Sequence, residues 1–342
     1  MDKAYLQETA KLLVASGKGI LAADESTGTI KKRFAAIGVE SNPENNRHYR
    51  QLLFTTSEIE KYISGVIMFD ETLRQKAQGK QFEGKSFVEI LTERGIAPGI
   101  KVDKGTVDLE NFPNEKITEG LDGLRERLIE YKNLGAKFSK WRAVFKIGEG
   151  IPSDVCIGLN IEHLSLFTAL SQENDLVPIV EPEVLMDGGH SIEQCEKVTY
   201  QILKNLFKEL IEHKVILPGM LLKPNMVISG KESSKKLTAT EIAEATLRCF
   251  KEVVPKEVPG IVFLSGGQTP QEATENLNQL NKLDNVPWQL SFSFGRALQE
   301  TVLKTWMGKD ENIDIAQKEF LKRARLNSLA RRGEYNSSLE EL

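Results

Sequence analysis

Two lysines of this sequence, Lys101 and Lys223, stand inside apolar runs, where a charged side chain is costly. Lys101 lies between Ile100 and Val102, and Lys223 follows Leu222. An ammonium group in such surroundings costs several kcal/mol unless it pairs with an acid or faces a polar pocket. Apolar walls and neighbouring cations both lower the pKa of an amine, and the free amine can attack a carbonyl to form a Schiff base. These lysines therefore predict covalent chemistry on a carbonyl substrate.

Charged residues also stand near the ends of other apolar runs. They are Asp24, Lys140, Arg142, Glu181, Glu183 and Arg296. Side chains alternate faces along a strand, so Glu181 and Glu183 share a face, as do Lys140 and Arg142. The glutamates would supply acid and base for the carbinolamine steps. Taken singly, each lysine is equally consistent with a structural ion pair. Together, so many inward charges favour a reaction site, because buried ion pairs contribute little to stability.

Two short segments rich in small residues predict a phosphate site. They are Ser265–Gln268 (SGGQ) and Ser293–Arg296 (SFGR), and each follows an apolar run. Small residues let backbone N–H groups approach an anion near a helix N-terminus. A lone SGG is equally consistent with a structural turn, but the last two strands of an α/β barrel are a common place for phosphate. The pair of segments therefore favours a phosphorylated ligand.

Eight apolar runs of strand length would position these residues. They are Gly19–Asp24, Gly65–Asp70, Gly99–Lys104, Phe138–Phe145, Leu176–Glu183, Gly219–Val227, Gly260–Gly267 and Trp288–Gly295. The segments between them carry helical periodicity, and capping boxes begin three of them at Ser191, Thr238 and Thr269. Near-continuously apolar strands that alternate with helices predict a parallel sheet closed into a TIM (β/α)8 barrel. The active site of such a barrel lies at the carboxyl ends of its strands.

The whole chain of 342 residues fits one such domain, because a barrel needs about 250 residues. We expect the barrel over residues 19–307, with added helices in residues 1–18 and in a C-terminal extension, residues 308–342. Pro178 interrupts the fifth run and cannot donate to a ladder, so the sequence defines the register of this strand least well.

Composition excludes several classes of function. The chain carries 45 Lys and Arg against 49 Asp and Glu, a net charge of −4, which argues against nucleic-acid binding through bulk charge. Its three cysteines form no CxxC pair, so neither a disulfide framework nor a zinc knuckle is expected, and a reducing compartment fits. No apolar run approaches the roughly 18 residues of a membrane span. We therefore expect a cytoplasmic protein that uses no membrane.

Motifs for common cofactors are also missing from the sequence. The four histidines, His48, His163, His190 and His213, are scattered and show no paired ligand spacing at a strand end, so no metal is expected. No GxGxxG follows a strand and no Walker lysine motif occurs, which argues against a dinucleotide or ATP.

At these residues the sequence resembles the class I fructose-1,6-bisphosphate aldolases. The matching stretches are Leu21–Gly28 (LAADESTG), Gly99–Gly105 (GIKVDKG), Lys140–Arg142 (KWR), Val177–Glu183 (VPIVEPE), Leu222–Val227 (LKPNMV), Phe263–Gln268 (FLSGGQ) and Gly295–Ala297 (GRA). The resemblance implies a TIM barrel and a lyase that needs no metal or other cofactor. It implies reversible cleavage of fructose 1,6-bisphosphate to dihydroxyacetone phosphate and glyceraldehyde 3-phosphate, in glycolysis and gluconeogenesis, by a homotetramer.

The resemblance also implies roles for single residues. Lys223 would form the Schiff base with the C2 carbonyl, and Glu181 would be its acid and base. Glu183 and Lys140 would order and polarise the site, and Asp24 would assist cleavage of the C3–C4 bond. Two further sets would bind phosphate: Lys101, Arg142, Ser26 and Thr29 on the aldehyde half, and Ser265, Gly266, Gly295 and Arg296 on the ketone half.

The sequence departs from the family pattern at a few positions. Animal members end in a tail with a terminal tyrosine that assists proton exchange at C3, and this sequence reads Ser338–Leu342 there, so we expect another group or water to move that proton. Tyr335 belongs to the segment before the tail and is not expected to take its role. Phe294 replaces a tyrosine, which loses a hydrogen bond, and Thr29 replaces a serine and keeps the hydroxyl.

Two other functions stay consistent with these residues. One is a different Schiff-base aldolase, of the transaldolase type or one that prefers fructose 1-phosphate. The other is an interaction scaffold, in which the cationic mouth of the barrel binds acidic partners such as actin or receptor-tail peptides, as family members are known to do.

Overall fold

The backbone of the computed structural model alternates strands and helices along residues 1–82, 84–283 and 286–341, the part of the chain that the structure describes. The strands are β1 (Gly19–Ala23), β2 (Ile63–Met68), β3 (Ala97–Lys101), β4 (Gly105–Asp108), β5 (Lys116–Glu119), β6 (Phe138–Phe145), β7 (Val177–Val184), β8 (Leu221–Leu222), β9 (Gly260–Phe263) and β10 (Gln289–Phe294). The helices are α1 (Lys3–Leu13), α2 (Thr27–Ala35), α3 (Pro43–Phe54), α4 (Asp70–Arg74), α5 (Phe87–Glu93), α6 (Leu124–Asn133), α7 (Asp154–Glu173), α8 (Ile192–Glu212), α9 (Ala239–Val253), α10 (Pro270–Lys282), α11 (Arg296–Trp306) and α12 (Ile313–Ala330). Short 3-10 turns occur at Ile59–Lys61, Leu217–Gly219, Asp310–Asn312 and Ser337–Glu340.

Eight of these strands form a closed parallel barrel. Around the barrel their order is β1, β10, β9, β8, β7, β6, β3 and β2, and β1 closes it by pairing Ile20 with Ser293 of β10. The helices between the strands surround the barrel. The predicted TIM barrel is thereby confirmed, and the carboxyl ends of the eight strands meet at one rim.

The three predicted capping boxes are present. The side chains of Ser191, Thr238 and Thr269 each accept a hydrogen bond from the backbone N–H three residues on, at the start of α8, α9 and α10. A fourth capping box, at Ser86, begins α5. Because each box satisfies backbone donors at a helix start, the sequence fixes where these helices begin.

The predicted and observed strands differ most at the sixth run. We expected a strand over Gly219–Val227, but β8 covers only Leu221–Leu222. Pro224 has no N–H to donate, so the ladder cannot continue through it. Pro178 causes no such break: its nitrogen faces β8, and β8 begins its pairing with β7 one residue further on, at Ile179.

A β-hairpin between β3 and β6 was not predicted. Its strands, β4 and β5, pair antiparallel from Gly105 opposite Glu119 to Asp108 opposite Lys116. Residues 106–108 of β4 are exposed, so the segment lacks the buried apolar alternation by which a strand is recognised in a sequence.

Added helices occupy both predicted terminal segments, α1 within residues 1–18 and α12 within residues 308–342, of which residue 342 lies outside the described residues. Leu6 and Leu13 of α1 belong to the apolar cluster that fills the lower barrel, together with Phe138 and Val262. Helix α1 therefore plugs the amino-terminal end of the barrel. No helix of the described residues is both long and apolar enough to cross a bilayer.

Candidate active site

A cavity of about 810 Å³ opens at the carboxyl ends of the strands. All the residues that the sequence singled out as catalytic or phosphate-binding line it: Lys223, Glu181, Glu183, Lys140, Asp24, Lys101, Arg142, Ser26, Thr29, Ser265, Gly266, Gly295 and Arg296. Closure of the barrel brings them together, because it carries the end of every strand to the same rim.

Lys140 lies at the centre of the charged groups on the cavity floor. Its Nζ is 2.6 Å from Asp24 Oδ2, 3.3 Å from Glu181 Oε2 and 4.0 Å from Asp103 Oδ2. Only 4% of the Lys140 side chain is exposed. One buried ammonium group therefore holds three carboxylates around the space where a substrate would lie.

Lys223 lies on the other side of Glu181. Its Nζ is 3.2 Å from Glu181 Oε1, and its side chain is 4% exposed. The backbone N–H of Lys223 donates to Val180 O at 2.8 Å, just beyond the end of β8. Glu181 thus lies between two lysines, within reach of a proton on either one.

The charged neighbours change the pKa values of this group. Burial opposes ionisation of Asp24, but Lys140, Lys223 and Lys101 outweigh it and hold the pKa of Asp24 well below its usual value. Burial likewise favours neutral Lys140, but Asp24, Glu181 and Asp103 outweigh it and raise the pKa of Lys140. Burial in this site therefore does not by itself lower the pKa of a lysine, because carboxylates are the nearest charged neighbours of Lys140.

Two further ion pairs lie above the floor of the cavity. Arg142 Nε donates to Glu183 Oε2 at 2.5 Å, and Lys101 Nζ lies 2.5 Å from Asp103 Oδ1. The Arg142 side chain is 40% exposed, whereas that of Lys101 is 13% exposed. Both cations line the cavity, and Arg142 is the more exposed of the two to an anion that enters it.

The two segments rich in small residues lie side by side on the rim. Gly266 and Gly267 have φ values of +55° and +142°, which glycine adopts without strain. Gly295 precedes the first residue of α11, and Arg296 Nη2 donates to Gly266 O at 3.3 Å. Backbone N–H groups and one guanidinium group thus lie together at this edge of the cavity.

Ser26 and Thr29 lie at the start of α2, just beyond the end of β1, which pairs with β10 in the barrel. Their hydroxyl oxygens are 3.2 Å apart. Ser26 precedes the first turn of α2 and makes no capping hydrogen bond with its side chain. The two hydroxyls therefore bond each other and face the cavity.

Sequence reasoning missed two acidic residues of the site. Asp103 bonds Lys101 and also accepts from the backbone N–H of Arg142 at 3.3 Å. Its spacing of two residues from Lys101 was the available signal, since side chains two apart share a face of a strand. Glu25 lines the cavity as well and pairs with Arg33 and, at 2.6 Å, with Arg50. Those arginines come from α2 and α3, and no local pattern connects them to Glu25.

The lining of the cavity is cationic as a whole. Nine lysine and arginine side chains and seven aspartate and glutamate side chains line it, a surplus of two positive charges. The chain as a whole carries a net charge of −4. The positive charge is thus concentrated where an anionic ligand would enter.

Comparisons with known proteins agree with this geometry. A family model for class-I fructose-bisphosphate aldolase matches residues 5–342. A probable fructose-bisphosphate aldolase class 1 of Xanthomonas axonopodis pv. citri is 53% identical over 98% of this chain and 99% of its own length. The cytosolic fructose-bisphosphate aldolase 4 of Arabidopsis thaliana is 53% identical over 95% of this chain and 82% of its own length. A solved structure of Plasmodium falciparum fructose-bisphosphate aldolase, in complex with TRAP and a small-molecule inhibitor, superposes with a TM-score of 0.95 and 49% identity, covering 98% of this chain and 96% of that one.

Proposed function

The chain belongs to the class-I fructose-bisphosphate aldolase family, and from that premise we propose that Lys223 is the residue that forms a Schiff base with the substrate. The protein is an enzyme, a lyase that cleaves fructose 1,6-bisphosphate reversibly to dihydroxyacetone phosphate and glyceraldehyde 3-phosphate. The observation that best supports Lys223 is its position: a buried amine 3.2 Å from a carboxylate, on the floor of a cationic cavity.

Glu181 is the proposed acid and base for the formation of the Schiff base. Glu181 takes a proton from the Lys223 amine group, and the free amine bonds to C2 of the substrate as the π bond of the carbonyl breaks. Glu181 gives its proton to the carbonyl oxygen and takes one from the nitrogen, which leaves a neutral carbinolamine. The C2 hydroxyl then leaves as water, which requires a second proton, and an iminium forms. Glu181 is 3.2 Å from the Lys223 nitrogen and can carry these protons. Lys140 Nζ lies 3.3 Å from the other carboxylate oxygen of Glu181 and holds this side chain in place.

Asp24 is the proposed partner of the C4 hydroxyl. When this hydroxyl loses its proton, the C3–C4 bond breaks, its electron pair moves into the iminium to give an enamine, and the aldehyde product is released. Asp24 is ionised and fixed by Lys140 at 2.6 Å, so it can accept a hydrogen bond from the hydroxyl. Protonation of the enamine at C3 and hydrolysis then free Lys223. Tyr335 is not among the residues that line the cavity, and its hydroxyl donates to Glu340 at 2.9 Å.

The two edges of the cavity are proposed to bind the two phosphates. Lys101 and Arg142, with the hydroxyls of Ser26 and Thr29, would bind the phosphate of the aldehyde half. Ser265, Gly266, Gly295 and Arg296 would bind the phosphate of the ketone half through N–H groups, a hydroxyl and a guanidinium. Cations at both edges favour the bisphosphate over fructose 1-phosphate.

Borohydride trapping tests the proposed Schiff base. The protein is incubated with dihydroxyacetone phosphate, reduced with borohydride with and without EDTA, and mapped by peptide mass spectrometry. We expect one irreversible label at Lys223 that EDTA does not change, because the proposed chemistry needs no metal or other cofactor. A label at Lys140 or Lys101 would refute the assignment of the lysine. Absence of a label together with activity lost in EDTA would refute the mechanism.

Assembly, location and domain structure are further parts of the proposal. We infer a homotetramer from the resemblance to the family, and sedimentation equilibrium should then give four times the chain mass of 38.3 kDa. We infer a cytoplasmic protein because relatives are named as cytosolic or cytoplasmic isozymes. We also infer that residues 1–342 unfold as a single domain. Scanning calorimetry at one fixed protein concentration should then show a single thermal unfolding transition.

A second candidate function is the binding of an acidic peptide at the mouth of the cavity. The surplus of positive charge favours it, and the P. falciparum relative was solved in complex with TRAP. Saturating fructose 1,6-bisphosphate should displace a labelled acidic peptide from this site. Peptide binding that ignores the sugar would place any such site elsewhere on the molecule.

A further inference from the structure

Three side chains on α7 and α8 converge far from the strand ends that form the cavity. Glu162 comes from α7, Glu209 from the last turn of α8, and His213 follows the end of α8. His213 Nε2 lies 3.4 Å from Glu162 Oε2 and 3.4 Å from Glu209 Oε1, and all three ligand atoms lie within 4.8 Å of one another. None of these three residues lines the cavity described above.

These separations match the edges of a zinc tetrahedron. Zn–N bonds of about 2.0–2.1 Å and Zn–O bonds of about 2.0–2.2 Å, set at the tetrahedral angle, place neighbouring ligand atoms about 3.3–3.5 Å apart. One imidazole and two carboxylates supply three ligands, and water would complete the fourth position. The third edge, between the oxygens of Glu162 and Glu209, is at most 4.8 Å long.

The charges around the cluster also favour the binding of a cation. Among the described residues, His213 is the only ion-pair partner within 4.0 Å of the carboxylate of Glu162 or of Glu209. The last turn of α8 carries no basic residue. A helix C-terminus has a negative partial charge, which favours a cation there. Two carboxylates and a helix end thus face one imidazole, a balance that a divalent ion would restore.

The cluster is accessible and yet held in place. The side chains of Glu162, Glu209 and His213 are 44%, 29% and 22% exposed. Glu209 and His213 are one helical turn apart, so they share a face of α8, while Glu162 reaches across from α7. An ion can enter from solvent and would join the two helices.

We propose that Glu162, Glu209 and His213 form a zinc site that links α7 to the carboxyl end of α8. This site is separate from the proposed active site and takes no part in the aldol chemistry. Imidazole with carboxylate suits Zn²⁺ better than Mg²⁺ or Ca²⁺, which prefer oxygen ligands alone. The bound ion would stabilise the fold by holding the end of α8 against α7.

Isothermal titration of the metal-free protein with zinc chloride tests this site. We expect one ion per chain, and affinity weakened about tenfold or more in each of Glu162→Gln, Glu209→Gln and His213→Gln. The matched control is Glu212→Gln, whose carboxylate lies next to His213 in the sequence and pairs with Lys208 instead. The control should bind zinc like the wild type.

Two further measurements, of thermal unfolding with zinc and of the absorption spectrum with cobalt, test the same site independently. Zinc at about 100 times the wild-type Kd should raise the Tm of the wild type by about 4 °C and that of His213→Gln by about 2 °C or less. Cobalt in place of zinc should give the intense visible absorption of a tetrahedral site. Zinc binding that survives all three substitutions, or that is lost equally in Glu212→Gln, would overturn the proposal.

Discussion

At the carboxyl ends of the barrel strands, lysines and carboxylates such as Lys140, Lys223 and Glu181 fill the interior, whereas at the amino ends the interior is apolar. There, Leu6 and Leu13 of α1 pack among side chains from the strands and close the barrel. The residues named at both ends are buried, and the same eight strands build both ends. The lower end therefore supplies burial of apolar surface that stabilises the fold, and the upper end holds charges whose desolvation opposes it.

A buried cation occurs at each end, and the two are satisfied differently. Lys223 faces a carboxylate at 3.2 Å. Arg331, at the lower end, donates to the backbone oxygens of Val14, Ala15 and Lys18, and no carboxylate of the described residues pairs with it. Burial lowers the pKa of Arg331 to about 10, which still leaves it charged at neutral pH. The comparison indicates that Arg331 fixes the chain, whereas the charges around Lys223 are arranged for chemistry.

The largest effect is expected at Lys223. Lys223→Met should lower the rate of fructose 1,6-bisphosphate cleavage by about 10⁴-fold or more, because it removes the proposed nucleophile. Its thermal unfolding should stay close to that of the wild type. The matched control is Lys146→Met, an exposed lysine just after β6 that does not line the cavity. A Lys223→Met enzyme that cleaves at the wild-type rate would contradict the proposal that the charges at the carboxyl ends of the strands serve the reaction through Lys223.

The next effect is expected at Asp24. Asp24→Asn should lower kcat by about 10³-fold, since the amide cannot accept the C4 proton. The usual pKa of the carboxyl is 3.8, and the folded pKa lies well below it. Stability from its ionisation is thus present above pH 3.8 and is lost as the pH falls below that value.

Chemical denaturation across acid pH checks the second part of that prediction. The wild type should lose more unfolding free energy than Asp24→Asn between about pH 4 and pH 2. Asp108→Asn, in the exposed strand β4, should follow the wild type. If Asp24→Asn and the wild type lost the same unfolding free energy over this pH range, ionisation of Asp24 would not be the cause of the acid destabilisation.

At the lower end, Arg331→Met should lower the free energy of unfolding by about 3 kcal/mol, because three backbone oxygens each lose a hydrogen bond from a charged donor. Activity per folded molecule should not change, since Arg331 does not line the cavity. Arg332→Met is the control: Arg332 is 40% exposed and pairs with Glu334, so its loss should cost less than about 1 kcal/mol. An Arg331→Met variant that is as stable as the wild type but inactive would contradict the assignment of stability to the lower end and of activity to the upper end.

The smallest effect is expected at Lys101, which belongs to only one of the two proposed phosphate sites, that of the aldehyde half. Its substitution therefore distinguishes the two sites. Lys101→Met should lower kcat/KM for fructose 1,6-bisphosphate by about tenfold to thirtyfold and leave that for fructose 1-phosphate nearly unchanged. Steady-state kinetics on both substrates measures the difference. An equal loss on both substrates would assign Lys101 to the reaction centre instead of the aldehyde phosphate.

The residues of the candidate site were predictable because their positions depend on local patterns. The apolar runs show where strands end, and alternation shows which side chains share a face, so Glu181 and Lys140 could be placed on one rim. The short extent of β8 follows from Pro224, which the sequence also displays. The ion-pair partners of the site residues were not predicted from these local patterns. Asp103 was overlooked beside Lys101, and the arginines that pair with Glu25 come from separate helices.

The histidines give the same lesson away from the active site. In the sequence His213 has no paired histidine or cysteine, so no metal was expected. The structure places Glu162 of α7 within 3.4 Å of it. A ligand set divided between two helices has no fixed spacing in the chain, because packing alone brings its members together.

The sequence by itself determined the barrel, its capped helices and the residues that face its rim, because these depend on periodicities of two and 3.6 residues and on local hydrogen bonds. Tertiary structure alone decided which acid meets which lysine, and hence that Lys140 is held charged among carboxylates. It also decided that α1 plugs one end of the barrel and leaves the other open. Contacts of this kind join residues far apart in the chain, and only the closure of the barrel and the packing of its helices determine their distances.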